Sequence, residues 1–133
     1  MAFTEQQRTF LEGKLIARLA TVDENGYPHV IPLWYAVDGD DIVVMSDTKT
    51  RKVSNAHANP RGAIQIGGTP GLEEDGYLFQ GDFVVEPDVN HVWAERITRR
   101  YESPARADAL LDEWKQDDIS VLRLKVRKII RVY

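Results

Sequence analysis

Two tight-turn signals, Asn25-Gly26 and Asp38-Gly39-Asp40, cut the first third of the chain into short β-compatible runs. Asn and Gly accept the positive φ angles that a close hairpin needs, so chain reversal is written at both points. The runs at residues 14–23, 27–37 and 41–47 therefore read as three consecutive antiparallel strands. A fourth strand is expected at 63–67 and a fifth at 77–86, where Gly81 marks a bulge or barrel bend and Pro87 ends the run. The last segment alternates, with Leu122, Leu124, Val126, Ile130 and Val132 on one face and Arg123, Lys125, Arg127 and Arg131 on the other; Lys128 alone breaks parity.

Helical signals lie between these strands. Thr4 to Gln7 has the form of a capping box, predicting a helix to about Gly13. Residues 48–59 are polar and helix-tolerant and stop at Pro60. Val89, Val92, Trp93, Ile97 and Tyr101 recur at helical spacing; Ser103-Pro104 then starts a second helix carrying Ala107, Leu110, Leu111 and Trp114. Trp93 and Trp114 are expected in the core, and Trp34 in the core or at a dimer contact, with a substrate platform as its alternative. The fold class expected is mainly β with peripheral helices, a six-stranded antiparallel barrel formed by residues 1–133 as a single domain.

Composition narrows the function. The absence of cysteine excludes disulfides, thiolate metal sites and cysteine nucleophiles, and fits a reducing compartment. A net charge of −4 argues against a general nucleic-acid surface. The longest apolar run, residues 30–37, is far short of the ~20 residues of a membrane span. The N-terminus has neither the basic nor the apolar region of a signal peptide, so a cytoplasmic location is expected. His29, His57 and His91 have no metal-site spacing, and no nucleophile elbow, zinc helix, Walker loop or dinucleotide fingerprint is present.

One window stands apart. Residues 48–72 contain no Asp or Glu where composition predicts about four, yet hold Lys49, Arg51, Lys52 and Arg61. Hydroxyls at Ser46, Thr48 and Thr50 and the start of a helix would suit a phosphate or polyanion cradle. A solvated basic turn would have the same composition.

The order Leu19-Ala20-Thr21-Val22-Asp23, Gly26, Pro28-His29-Val30, Pro32, Trp34-Tyr35, Asp38-Gly39-Asp40, then Ser46, Thr48, Thr50, Lys52, Asn55 and Asn59-Pro60-Arg61 resembles the pyridoxamine 5′-phosphate oxidase-like split β-barrel superfamily, and within it the flavin/deazaflavin oxidoreductases. Ala56 and His57 depart from the leucine and arginine common there. The resemblance implies a homodimer that binds FMN or coenzyme F-420 between subunits and passes a hydride to a small-molecule substrate, without nucleic-acid or membrane partners. A flavin- or tetrapyrrole-binding carrier without turnover is the alternative. By the same resemblance, Ser46, Thr48, Thr50 and Lys52, helped by Arg51, would hold the phosphate. Val30, Ile31, Pro32 and Leu33 would lie against the ring system, with His29 on the same strand near ring or phosphate.

Overall fold

The computed structural model describes Met1–Tyr133. Its order is α1 (Glu5–Leu11), β1 (Ala17–Val22), β2 (Pro28–Leu33), β3 (Ala36–Asp38), β4 (Asp41–Asp47), α2 (Arg51–Ala58), β5 (Arg61–Gly67), β6 (Gly76–Pro87), α3 (Val92–Tyr101), α4 (Pro104–Trp114) and β7 (Ile119–Arg131). A short 3-10 turn, Val89–His91, precedes α3. No helix is long and apolar enough to cross a membrane.

The strands form one antiparallel sheet in the order β2-β1-β5-β6-β7-β4-β3. The edge strands β2 and β3 are consecutive in the chain, separated only by Trp34 and Tyr35. Three Cα–Cα steps reach at most about 11 Å, whereas the edges of a flat seven-stranded sheet would lie about 29 Å apart. The sheet must roll up. There are seven strands rather than six because the expected strand 27–37 breaks at Trp34-Tyr35 into β2, which pairs with β1, and β3, which pairs with β4.

Inward-facing residues fill the barrel: Leu19, Ile42, Val44, Ile64, Ile66, Phe79, Leu122 and Leu124 are all fully buried. The helix α1 adds Leu11 to this core, and α2 adds Val53 and Ala56. The capping box of α1 is present, with Thr4 Oγ1 accepting from the Gln7 amide at 3.1 Å and Gln7 Oε1 accepting from the Thr4 amide at 2.9 Å. Outside the barrel, Ile97 of α3 packs on Ala36, Val43 and Val121. The Asp88 carboxylate caps α3 by accepting from the amides of Trp93 and Ala94.

Two expectations need correction. Trp93 and Trp114 are only half-buried. The Trp93 ring lies beneath the guanidinium groups of Arg96 (4.3 Å) and Arg123 (5.7 Å), where its exposed face still gains cation–π contact. The parity of β7 also changes. Gln80 pairs with Lys128 but Gly81 with Val126, so Arg127 is the extra residue of a β-bulge. Beyond it Ile129, not Ile130 or Val132, joins the core.

Gly81 permits this bulge because β7 runs so close to it that a Cβ would collide with the Lys125 carbonyl oxygen. Overpacking of this kind costs about 1–3 kcal/mol, so Gly81→Ala should lower Tm by roughly 4–12 °C in a reversible thermal melt.

Candidate functional site

The barrel is incompletely closed, and the gap has a sequence cause. Pro28 and Pro32 share strand parity, so their missing N–H groups strip donors from one edge of β2 and leave it to pair through the other alone. Opposite, β3 pairs only with residues 41–43 of β4, while β7 pairs with β4 along its whole length. Residues 44–47 of β4 therefore have no strand on the β2 side.

A cavity of about 290 Å³ occupies this region, lined by Ile31, Pro32 and Leu33 from β2, Met45, Ser46 and Asp47 from β4, Thr50 and Lys52 at the start of α2, and Trp114, Asp117 and Ile119. A second cavity of about 430 Å³ shares Pro32, Leu33, Met45 and Trp114 with it and adds Ile16, Trp34 and Ile97. No charged side chain lines the second cavity. Trp34 is held there by stacking on Tyr101, with centroids 5.3 Å apart and planes 9° apart.

The polar end is built by the turn from β4 to α2. Asp47 Oδ1 accepts from the Lys49 amide at 2.9 Å, and the Asp47 carbonyl accepts from the Thr50 amide and hydroxyl at 3.2 and 3.0 Å. Ser46 Oγ and Thr50 Oγ1 are 2.7 Å apart. Thr50 is the N-cap residue of α2, but its hydroxyl is turned back to Asp47 and makes no cap bond. The first amides of α2 thus retain their donor capacity, and no acidic residue lies in its first turn. Lys52 makes neither an ion pair nor a side-chain hydrogen bond. Partial burial lowers its pKa, with Asp47 opposing the shift. A half-dehydrated ammonium at a helix N-terminus is suited to an anion.

Of the ten residues singled out in sequence, Ile31, Pro32, Leu33, Ser46, Thr50 and Lys52 line this one cavity. The other four lie elsewhere. Thr48 turns toward β7, its hydroxyl 2.7 Å from Ser120 Oγ. Arg51 lines a separate polar cavity beside Lys49. Val30 is 59% exposed on the outer face of the sheet. His29 has the inward parity of Ile31 and Leu33, opposite buried Thr21, and its Nδ1 is buried without a hydrogen-bond partner. Met45, Asp47, Trp114, Asp117 and Ile119 were not anticipated, and residues 114–119 have no anion- or ring-binding pattern that could have announced them.

The basic face of β7 is already engaged. Arg123 pairs with Asp38, Asp41 and Glu86, Lys125 with Asp41, Arg127 with Asp82 and Arg131 with Asp75. Its charge is largely met within the molecule, in contrast to that of Lys52.

The chain is a split antiparallel barrel with an anion-suited turn beside an apolar slot, and comparison with known proteins shows its family. The chain belongs to the pyridoxamine 5′-phosphate oxidase family, whose model matches residues 3–133. It is 31% identical over 74 residues to a 5a,11a-dehydrotetracycline/5a,11a-dehydrooxytetracycline reductase of Streptomyces rimosus; the match takes in 53% of this chain and 52% of that protein, so the chain spans about half the length of this curated relative. Among solved structures, an F-420 reductase superposes with a TM-score of 0.75 at 25% identity, covering 96% of this chain and 98% of that one. A conserved protein of Mycobacterium tuberculosis superposes with a TM-score of 0.75 at 21% identity over 98% of this chain and 85% of its own.

The position of α2 depends on a buried polar contact, Asn55 Nδ2 donating to Thr21 Oγ1 at 3.1 Å. Removing one partner leaves the other unpaired, so Asn55→Ala should cost about 1–3 kcal/mol in urea unfolding. A double-mutant cycle with Thr21→Val should recover part of that loss.

Proposed function

We propose that the protein is a homodimeric oxidoreductase that binds FMN or coenzyme F-420 in the split between β2 and β4 and passes a hydride to a small organic acceptor. The observation that carries this reading is the direct continuity of the Lys52 pocket with the apolar slot. A phosphate-bearing, ring-containing coenzyme has the same polarity from end to end. The residues present fit such a group: Lys52 and the free α2 amides would take the phosphate, and Ile31, Pro32 and Leu33 would lie along the ring. His29, with its unpartnered Nδ1, is a further contact on this strand. Either coenzyme brings its own hydride-carrying ring, so the protein need only bind, orient and shelter it. Trp34, Trp114 and Ile16 supply the sheltered apolar wall that keeps water from the acceptor.

The second copy is argued from the outer face of β2, β1, β5 and β6. Ala20, Val22, Val30, Pro32, Ala63 and Leu78 share the outward parity, and none of them is fully buried. The helix that touches these strands, α2, packs Val53 and Ala56 into the barrel core, and the outer face adjoins the cleft through Pro32. Light scattering at saturating coenzyme should report a dimer; a monomer would overturn this part.

Charge-assisted hydrogen bonds contribute about 1.5–3 kcal/mol, so Lys52→Ala should weaken coenzyme binding roughly ten- to 150-fold. Turnover should be largely recovered at saturating coenzyme, because the phosphate lies away from the reacting ring. Unchanged affinity would remove the phosphate from this turn. Absorbance change of the bound coenzyme on mixing with acceptor separates an enzyme from a carrier, which would bind without being reoxidised.

The lowered pKa of Lys52 adds a pH test. As pH rises, this lysine loses its charge earlier than an ordinary one, and coenzyme affinity falls with it. Anion binding favours the charged form, so complex formation in that range takes up protons. Lys52→Arg, charged throughout, should keep its affinity at alkaline pH, where the parent protein loses it.

A further inference from the structure

A cavity of about 320 Å³ between α1, β3 and α3 shares no residue with either part of the cleft. Arg8 of α1, Glu12 at its C-cap, and Arg96 and Arg100 of α3 supply its charge, and Ala36 and Val37 of β3 its apolar side. The three guanidinium groups are engaged to different degrees. Arg8 pairs with Asp40 and donates to the Gly39 carbonyl at 2.9 Å. Arg100 donates to the Leu11 and Gly13 carbonyls through Nη2 alone, its Nε is buried without a partner, and no carboxylate pairs with it. Arg96 lies 4.3 Å over the Trp93 ring, and neither it nor Glu12 makes an ion pair.

Tying α1 to α3 accounts for Nη2 of Arg100 but leaves Nη1 without a hydrogen bond. The group is already oriented by two carbonyls and already partly dehydrated at Nε, so these costs arise on folding rather than on binding. Arg96, four residues earlier on the helix, is on the same face and one turn away. With Asp40 on Arg8 and Glu12 on the cavity wall, three cations meet two carboxylates, which suits a monoanion better than a dianion.

We propose that this cavity is a second anion site, separate from the cleft, that takes a small organic monocarboxylate. The carboxylate lies between Arg96 and Nη1 of Arg100, where planar guanidinium groups match its geometry. The apolar body of the acid rests on Ala36 and Val37, which a bare inorganic anion cannot use. A volume of about 320 Å³ is at the small end of ligand cavities and fits an acid of a few carbons.

The test adds isovalerate, its neutral isostere isovaleramide and inorganic phosphate to the intact protein. Isovalerate should change tryptophan emission saturably, through Trp93 under Arg96, and its methyl groups should receive magnetisation from the protein in saturation-transfer NMR. Isovaleramide should do neither, and phosphate at equal concentration should not displace isovalerate. Arg96 is exposed, so Arg96→Ala should fold normally and weaken isovalerate roughly fivefold or more, read by NMR because the emission baseline changes. Glu12→Gln, which removes an opposing charge, should strengthen it about two- to fivefold. Lys52→Ala should leave it unchanged. No binding of isovalerate, equal binding of the amide, binding indifferent to Arg96→Ala or binding lost in Lys52→Ala would each overturn the site. The coenzyme reading of the cleft stands or falls separately, on its own titration.

Discussion

The short link from Leu33 to Ala36 governs the architecture. Because the two edges of the sheet are joined by two residues, the sheet rolls into a barrel, its core side chains are taken out of water, and the apolar parity of every strand acquires a meaning. Tyr35, within this link, is fully buried, with its hydroxyl 2.9 Å from the carbonyl oxygens of Leu11 and Gly13. Arg100 reaches the same two carbonyls from α3, at 3.0 and 2.6 Å. Burial pushes the Tyr35 phenol well above its usual range, so it remains a donor and α1 stays pinned over the barrel end. The orphan carbonyls at the end of α1 thus find partners from two distant elements.

The same link creates the cleft. Closure through a bent connection, rather than a continuous strand, leaves β2 and the second half of β4 without mutual pairing. Proline on one side and a short partner strand on the other keep that opening from zipping shut. A site built in this way is made mostly of strand residues, whose positions are set by the core behind them. Lys52 comes from α2 and Trp114 from the end of α4, with Thr50 at the N-cap of α2, a helix anchored by Val53, Ala56 and the Asn55–Thr21 bond.

Charge is distributed in keeping with this division. Cations on β7 are matched by Asp38, Asp41, Glu86, Asp82 and Asp75, which ties β3, β4 and β6 to the last strand. Cations on the turn into α2, Lys49, Arg51 and Lys52, make no ion pair, and the chain has no acidic residue from 48 to 72. One set is spent on the fold; the other is available to a ligand.

The sequence alone determined the strand order along the chain, the hairpin turns, the capping of α1 and α4, and the basic turn before α2. All are local, written in residue types a few positions apart: Asn25-Gly26, Thr4 with Gln7, Ser103-Pro104, and Lys52 two residues past Thr50. The break at Trp34-Tyr35 was not legible, since an apolar run looks the same whether it pairs with one neighbour or two, and only the closed sheet forces the division. The bulge showed in advance as a glycine and a parity fault, but which residue of β7 was extra depended on register with β6. Of the residues set around the cleft, those from β2 and the α2 turn carried a pattern. Trp114, Asp117 and Ile119 did not, because they come to it from the far end of the chain, and only the folding of α4 and β7 onto the barrel brings them there. Tertiary structure also separated Arg51 from Lys52: one helical step of about 100° turns adjacent cations into different cavities.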